Sequence, residues 1–242
     1  MPTDSSTVAA VLADVGRINM MFTVREGTPG PGRRYLGTDG DPGGVSPGAL
    51  AAEIERTRAQ LETRFGRGVE WRVAASLFHQ GLANRVLSPV IAAALCHGVL
   101  LDARRMHWDP DGEGVSELRT DQERPVTGPV ADWVEETVLD RRFGVMGRVE
   151  HALTRVGRIA PGLLRGNLGS ALAGAVHALG RARPAHRVDA EALARDLLSR
   201  PGPGLSGSWT GPAGFRRTTC CLYYRLPGGG TCGDCALRAN DR

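Results

Sequence analysis

Residues 71–101 read WRVAASLFHQGLANRVLSPVIAAALCHGVLL, and their apolar character sets the architecture that the rest of the chain must fit. A long stretch with few charges is typical of buried helices at the centre of a domain. The Ser88-Pro89 step predicts a break, because proline removes a backbone donor and restricts the residue before it. We therefore expect two central helices here, with other elements packed around them.

Further helices are predicted on both sides of this stretch. Apolar residues recur at helical spacing from Val8 to Ile18, and Ser5 or Ser6 is the predicted N-cap. Pro129 suits the first turn of a helix, where a missing N–H costs nothing. The complete set of later helices is predicted at 49–65, 129–138, 142–158, 163–179 and 189–199.

Strand signals are few. An Asp-Pro-Asp-Gly turn between 104–108 and 115–118 predicts a hairpin, and residues 20–25 predict a short strand. Residues 27–48 are dense in Gly and Pro and predict a long loop. We expect an α+β fold: a predominantly helical body over 1–204 with a small N-terminal and central β element. A Gly/Cys-rich C-terminal tail over 205–242 follows it.

The charge balance is mild, and basic and acidic residues are mixed along most of the chain. The formal net charge is +4, and every basic residue apart from histidine is an arginine. This composition predicts a solvated, arginine-rich surface, with a patch for an anionic partner such as a metal chelate as the alternative. No nucleic-acid partner is expected, because the arginines are not interleaved with aromatic residues.

No targeting or membrane segment is expected. The start is polar, and the longest apolar run, 86–101, is interrupted and too short to span a bilayer. We expect a cytoplasmic protein, either free or peripheral at the inner face of the membrane. Clustered cysteines in that compartment indicate metal ligands or redox groups before disulfides.

Four of the five cysteines lie in the tail, spaced C-C-x10-C-x2-C, and three chemistries compete for them. A closed zinc site suits the second pair, but the sulfurs of adjacent Cys220 and Cys221 do not readily converge on one ion. A redox dithiol of Cys232 and Cys235 leaves the first pair unexplained. A [2Fe–2S] cluster divides four thiolates between two irons, so adjacent cysteines can serve it. The spacing favours the cluster, and the Pro227-Gly-Gly-Gly230 reversal would bring both pairs together.

The segment RRTTCCLYYRLPGGGTCGDC, residues 216–235, resembles the C-terminal signature of the FhuF-type ferric-siderophore reductases. Softer similarities lie at 76–89 and 166–172. The resemblance implies that Cys220, Cys221, Cys232 and Cys235 bind a [2Fe–2S] cluster. It also implies one-electron reduction of a ferric siderophore, which releases ferrous iron.

An external electron donor is expected, such as a ferredoxin or a flavin-dependent reductase, because no dinucleotide-binding loop is present. Two alternatives remain open. One is a non-catalytic siderophore- or metal-binding protein with a structural iron–sulfur or zinc site. The other is a helical domain allied to siderophore synthetases, which the cysteine tail and the missing nucleotide-binding portion disfavour.

Other residues carry weaker predictions. Arg216 and Arg217 beside the ligands either raise the cluster potential or are ordinary surface arginines, and they are also candidates for donor docking. Asn167 is predicted at a helix start, and Asp234 as a local cap. Trp209 and Phe215 are expected to pack the tail onto the body. The candidate substrate-binding residues are His79, Asn167, Arg216 and Arg217.

Overall fold

A computed structural model describes residues 7–28, 36, 46–109, 117–209 and 214–238. The centre of this part of the chain is a pair of long helices, α3 (Trp71–His97) and α6 (Pro161–Ala182). They pack against each other more extensively than any other two elements of the described ranges. The predicted α+β fold with a mainly helical body is confirmed.

Helix α3 is continuous, so the predicted break at Ser88-Pro89 is wrong. Residues 86–94 are all buried, and this burial offsets the cost of about 3 kcal/mol that an internal proline imposes. Ser88 Oγ donates to Asn84 Oδ1 at 2.8 Å, which satisfies the hydroxyl inside the core. The result is a single rod about 40 Å long.

In the described part of the chain five shorter helices surround this pair, and the predicted helices there are confirmed with small shifts at their ends. Thr7 caps the first helix by accepting from the Ala10 N–H at 3.3 Å, whereas the predicted caps Ser5 and Ser6 lie outside the described residues. A π-helical turn, Glu135–Leu139, continues the short fourth helix. The five are α1 (Val8–Gly16), α2 (Pro47–Phe65), α4 (Val130–Val134), α5 (Val145–Val156) and α7 (Arg187–Ser199).

A small sheet lies beside the helices, in the order β1 (Arg25–Glu26), β3 (Glu117–Thr120), β2 (Met106–Asp109). The predicted hairpin is confirmed, since β2 and β3 are antiparallel, while β1 joins β3 in parallel. The predicted strand at 20–25 is wrong over most of its length: Met20–Phe22 forms a helical turn because Asn19 Oδ1 caps Met21 N–H.

Most of the predicted loop, 27–48, lies outside the described residues. The division of the chain at residue 204 stays a prediction. None of the helices described combines the length and the apolar character that crossing a bilayer requires.

Candidate metal centre

The chain returns from α7 to α6 through a short antiparallel hairpin, β4 (Ser208–Trp209) and β5 (Phe215–Arg216). Phe215 is 6% exposed. Trp209 packs against the apolar core, and its ring centroid lies 5.0 Å from that of His177. The prediction that these two aromatic residues pack the tail onto the body is confirmed.

Glycines of α6 face the tail, and two of them, Gly166 and Gly169, let it approach the helix backbone closely. A Cβ on Gly169 would lie 2.9 Å from Phe215 Cζ, and a Cβ on Gly166 would overlap Thr219 Oγ1. Thr219 Oγ1 in turn donates to the Gly162 carbonyl at 3.0 Å. We call Gly162, Gly166 and Gly169 the glycine track; residues 215–219 lie along it. Its spacing, i, i+4 and i+7, was a signal in the sequence that the motif at 166–172 alone did not reveal.

The four tail cysteines lie in the turns that follow this segment. Cys221 and Cys235 are buried, whereas Cys220 and Cys232 are partly exposed. Cys221 Sγ and Cys232 Sγ are 3.5 Å apart, so the two halves of the motif meet. The reversal predicted at 227–230 is present, with Gly229 N–H donating to the Leu226 carbonyl at 2.7 Å.

Backbone N–H groups point at sulfurs of the motif. Leu222 N–H donates to Cys220 Sγ, and Leu237 N–H donates to Cys235 Sγ, each at 3.3 Å. Leu222 has φ = 66°, and among the described residues it is the one non-glycine in the left-handed region. Such a conformation is costly and persists at sites where the surroundings enforce it. N–H donors of this kind favour thiolates and tune iron–sulfur centres.

The contact between Cys221 and Cys232 shifts the pKa values of the two thiols in opposite directions. The hydrogen bond with Cys232 lowers the pKa of the Cys221 thiol to about 6, against the opposing effect of burial. The same bond, followed by burial, raises the pKa of Cys232. The two sulfurs therefore titrate as a pair that shares one proton. One thiolate, the form that binds metals, is held near neutral pH.

Arg217 is buried, so of its two interpretations from the sequence, the ordinary surface arginine does not hold. Its Nη2 donates to the Gly166 carbonyl at 3.1 Å and to Asn167 Oδ1 at 3.2 Å. Its Nε lies 3.4 Å from Asp234 Oδ2. Arg216 is partly exposed instead, and its guanidinium donates to the Arg238 carbonyl.

A chain of hydrogen bonds connects Asn167 to the first cysteine pair. Asn167 Nδ2 donates to the Ser76 carbonyl at 2.9 Å and to Ser76 Oγ at 3.1 Å. Ser76 Oγ donates to the Cys221 carbonyl at 2.8 Å. Asn167 lies within α6, so its predicted place at a helix start is wrong.

Sequence reasoning gave no role to Ser76 or to Gln80, whose Nε2 donates to Ser170 Oγ at 2.9 Å. Both polar residues lie on the buried face of α3 that meets the tail. Polar residues four apart on a helix with many apolar residues were the available signal.

His79 is also in the interior, on α3. Its Nε2 lies 3.6 Å from Glu150 Oε1, while Glu150 Oε2 accepts from Arg165 Nη2 at 2.7 Å. The side chains of His79 and Arg217 have no exposed surface, and Asn167 has none either. A molecule at the surface does not reach these three residues as they are placed, and their role in substrate binding stays a prediction.

Residues 217–237 match the family model described as the FhuF 2Fe-2S C-terminal domain. A search of curated proteins finds no match to the chain. The resemblance stated from the tail motif is confirmed over this segment, and the cofactor of the tail is a [2Fe–2S] cluster.

The residues present fit this cofactor. A [2Fe–2S] cluster takes four thiolates divided between two irons, and the tail supplies four cysteines, two of which already touch. Within the described ranges, no three His, Cys, Asp or Glu side chains converge on one point, as a closed zinc site requires. The donor set of four cysteines in two pairs is the set that a two-iron cluster takes.

Proposed function

We propose that the chain is a ferric-siderophore reductase in which Cys220, Cys221, Cys232 and Cys235 hold the [2Fe–2S] cluster. The observation that carries this proposal is the matched 2Fe-2S segment, which brings two halves of a four-cysteine motif together on the helical body. When bound, such a cluster supplies single electrons. One electron added to a ferric siderophore gives ferrous iron and the free chelator.

The chemistry of the chelate explains why one electron is enough. Hydroxamate, catecholate and carboxylate oxygens are hard donors that hold ferric iron far more tightly than ferrous iron. Reduction therefore loosens the chelate without any covalent bond to the protein. Each turnover takes one electron from an external donor and places it on one iron of the substrate.

The side chains of the tail divide this work between them. Cys221 and Cys235 are buried and would hold the cluster on the side of the body, whereas Cys220 and Cys232 are partly exposed and would hold it on the side of the solvent. We infer that the exposed side faces both the siderophore and the electron donor. The N–H donors to Cys220 and Cys235 stabilise the negative charge of the sulfurs.

The electron donor is a separate protein in this proposal, a ferredoxin or a flavin-dependent reductase. Arg225 and Arg238 are exposed on the tail and offer positive charge to an acidic carrier. Arg225 pairs with Glu70 at 2.9 Å, so the carrier has to compete with a partner that is already present. Arg217 is buried and takes no part in docking. The cytoplasmic location stays a prediction.

Spectroscopy of the anaerobically purified protein tests the centre. We expect a red-brown protein with about two irons and two sulfides per chain, and an EPR signal on one-electron reduction. Cys→Ser changes at 220, 221, 232 and 235 should bleach it. Cys96→Ser is the matched control and should leave the spectrum unchanged. A colourless protein holding one zinc would contradict the proposal.

A ferrous-iron trap tests the activity. The reduced protein is mixed with a hydroxamate, a catecholate and a carboxylate ferric siderophore, and formation of the coloured ferrous complex is followed. We expect one ferrous ion per electron for at least one class. If no class yields ferrous iron although the cluster is intact, the chain is a binding protein rather than a reductase.

A further inference from the structure

A buried ion pair within the tail adjoins the cysteines. The side chain of Arg217 has no exposed surface, that of Asp234 is 19% exposed, and Nε and Oδ2 are 3.4 Å apart. Asp234 lies inside the second cysteine pair, between Cys232 and Cys235. Arg217 N–H also donates to the Asp234 carbonyl at 3.2 Å, so backbone and side chain hold the two residues together.

The two charges are incompletely compensated by each other. The pair lies within ion-pair distance but lacks hydrogen-bond geometry, and neither Arg217 Nη1 nor Asp234 Oδ2 has a hydrogen-bond partner among the described residues. A buried guanidinium is expensive unless negative charge lies nearby. The neighbouring cysteines bind metals as thiolates, which would supply that charge.

The position of Arg217 relative to Cys221 is fixed by the body. Asn167 Oδ1 accepts a hydrogen bond from Arg217 Nη2, and Asn167 Nδ2 donates one to Ser76 Oγ. Ser76 Oγ in turn donates to the Cys221 carbonyl. Helices α3 and α6 therefore set the geometry between the cation and the cysteine. This arrangement gives Asn167 and Ser76 a positioning role.

We propose that Arg217 and Asp234 set the reduction potential of the cluster in opposite directions, which rests on the proposed function because it assumes ligation by the four cysteines. Reduction adds one negative charge to a centre that four thiolates already make anionic. A buried cation stabilises that added charge and raises the potential, whereas a neighbouring carboxylate opposes it and lowers the potential. The burial of Arg217 and the partial burial of Asp234 limit the screening of both effects by water.

The positions of the two residues support these signs. Arg217 is held inside the fold by its contacts with Asp234, and Asp234 lies between Cys232 and Cys235 in the chain. Arg225 is the contrasting case, because it lies on the same tail in solvent, where its charge is screened.

Redox titration of the cluster-loaded protein, followed by its visible or EPR spectrum, tests the proposal. We expect a lower potential than wild type for Arg217→Gln and a higher one for Asp234→Asn. Arg217→Lys keeps the charge and should stay closer to wild type than Arg217→Gln. Arg225→Gln removes the same charge from the exposed side and should shift the potential least.

Opposite shifts separate this role from a merely structural one, because a disturbed tail has no reason to respond with opposite signs. If Arg217→Gln does not retain the cluster, the other two variants test the proposal. A raised potential in Asp234→Asn and a near-normal potential in Arg217→Lys support it. Shifts of the same sign, or none beyond that of Arg225→Gln, overturn it. A wild-type protein without a cluster would instead overturn the proposed function, and this inference with it.

Discussion

The helical body and the cysteine tail are held in place in different ways. The body is built on a contiguous apolar core shared by α1, α3, α5, α6 and α7, whereas the described tail adds one buried side chain, Leu226, to that core. The tail relies on partly buried side chains such as Trp209 at the edge of that core, on the glycine track and on a few polar contacts, such as the bond from Ser76 to the Cys221 carbonyl. Stability is therefore spread over many residues in the body, while the position of the site depends on a few atoms.

The largest effect on stability is expected from a core truncation in the body. Leu87→Ala removes a side chain of α3 that is fully buried, which should lower the free energy of unfolding by about 2–5 kcal/mol. The cluster spectrum of the folded variant should be unchanged. Chemical denaturation followed by circular dichroism gives the first quantity. Leu237→Ala is the same change in the tail at a residue 56% exposed, and should cost less than about 0.5 kcal/mol.

A smaller effect on stability, but a larger one on the site, is expected at the glycine track. Gly166→Ala places a methyl group on Thr219 Oγ1 and should displace the tail at a cost of about 1–3 kcal/mol. We expect faster loss of iron to a chelator with little change in helix content. Gly81→Ala is the control, since a Cβ there meets nothing within 4 Å. Equal iron loss in both variants would contradict the close approach of the tail.

Loss of one hydroxyl should also affect the tail. Ser76→Ala removes the donor to the Cys221 carbonyl and one acceptor of Asn167, and should cost about 1–2 kcal/mol. Chelator release and thermal unfolding of the loaded protein measure this cost. Ser199→Ala removes an exposed hydroxyl that bonds the Asp196 carbonyl, and is the matched control. If both variants behave like wild type, the bond between the body and Cys221 is dispensable.

The smallest effect on stability is expected from the ion cluster of Asp14, His97 and Arg183 on the surface of the body. Burial raises the pKa of Asp14, but its hydrogen bond with His97 and the charge of Arg183 outweigh this and lower it below the usual value. A lowered folded-state pKa stabilises the protein above the unfolded-state value, and the gain disappears as pH falls through the folded value. Asp14→Asn should therefore be less stable than wild type at neutral pH, with the gap closing below about pH 4.

Urea unfolding at neutral pH and below about pH 4 measures this difference in stability, with Glu123→Gln as a control at an exposed residue. The cluster spectrum should be the same in both variants at neutral pH. A gap of constant size across the range would contradict the assigned ion cluster.

Local features of the sequence predicted the helices and the cofactor of the tail well, because apolar periodicity and cysteine spacing act within a few residues. The break predicted at Pro89 failed because burial of 86–94 outweighs a local penalty, and the strand at 20–25 failed because Asn19 caps a turn there. Both errors come from tertiary packing or a side-chain bond overriding propensity.

The surroundings of the cysteines were much harder to predict. Arg217 looks like any arginine in a chain rich in them, and its burial depends on Gly166 and Asn167, about 50 residues away in the sequence. Ser76 is farther still from Cys221. No periodic pattern encodes such contacts. The motif identified the cofactor, but the groups that surround it became visible only in three dimensions.

Helix α6 has five glycines among its 22 residues, and each is unfavourable by roughly 1 kcal/mol relative to alanine. The helix therefore has little stability of its own where the tail covers it, and the tail fills space that side chains would occupy elsewhere. In terms of motion, lifting of the tail should let this part of α6 open locally. The amide protons of residues 162–170 would then exchange faster with solvent, so their protection reports, residue by residue, whether the tail is in place.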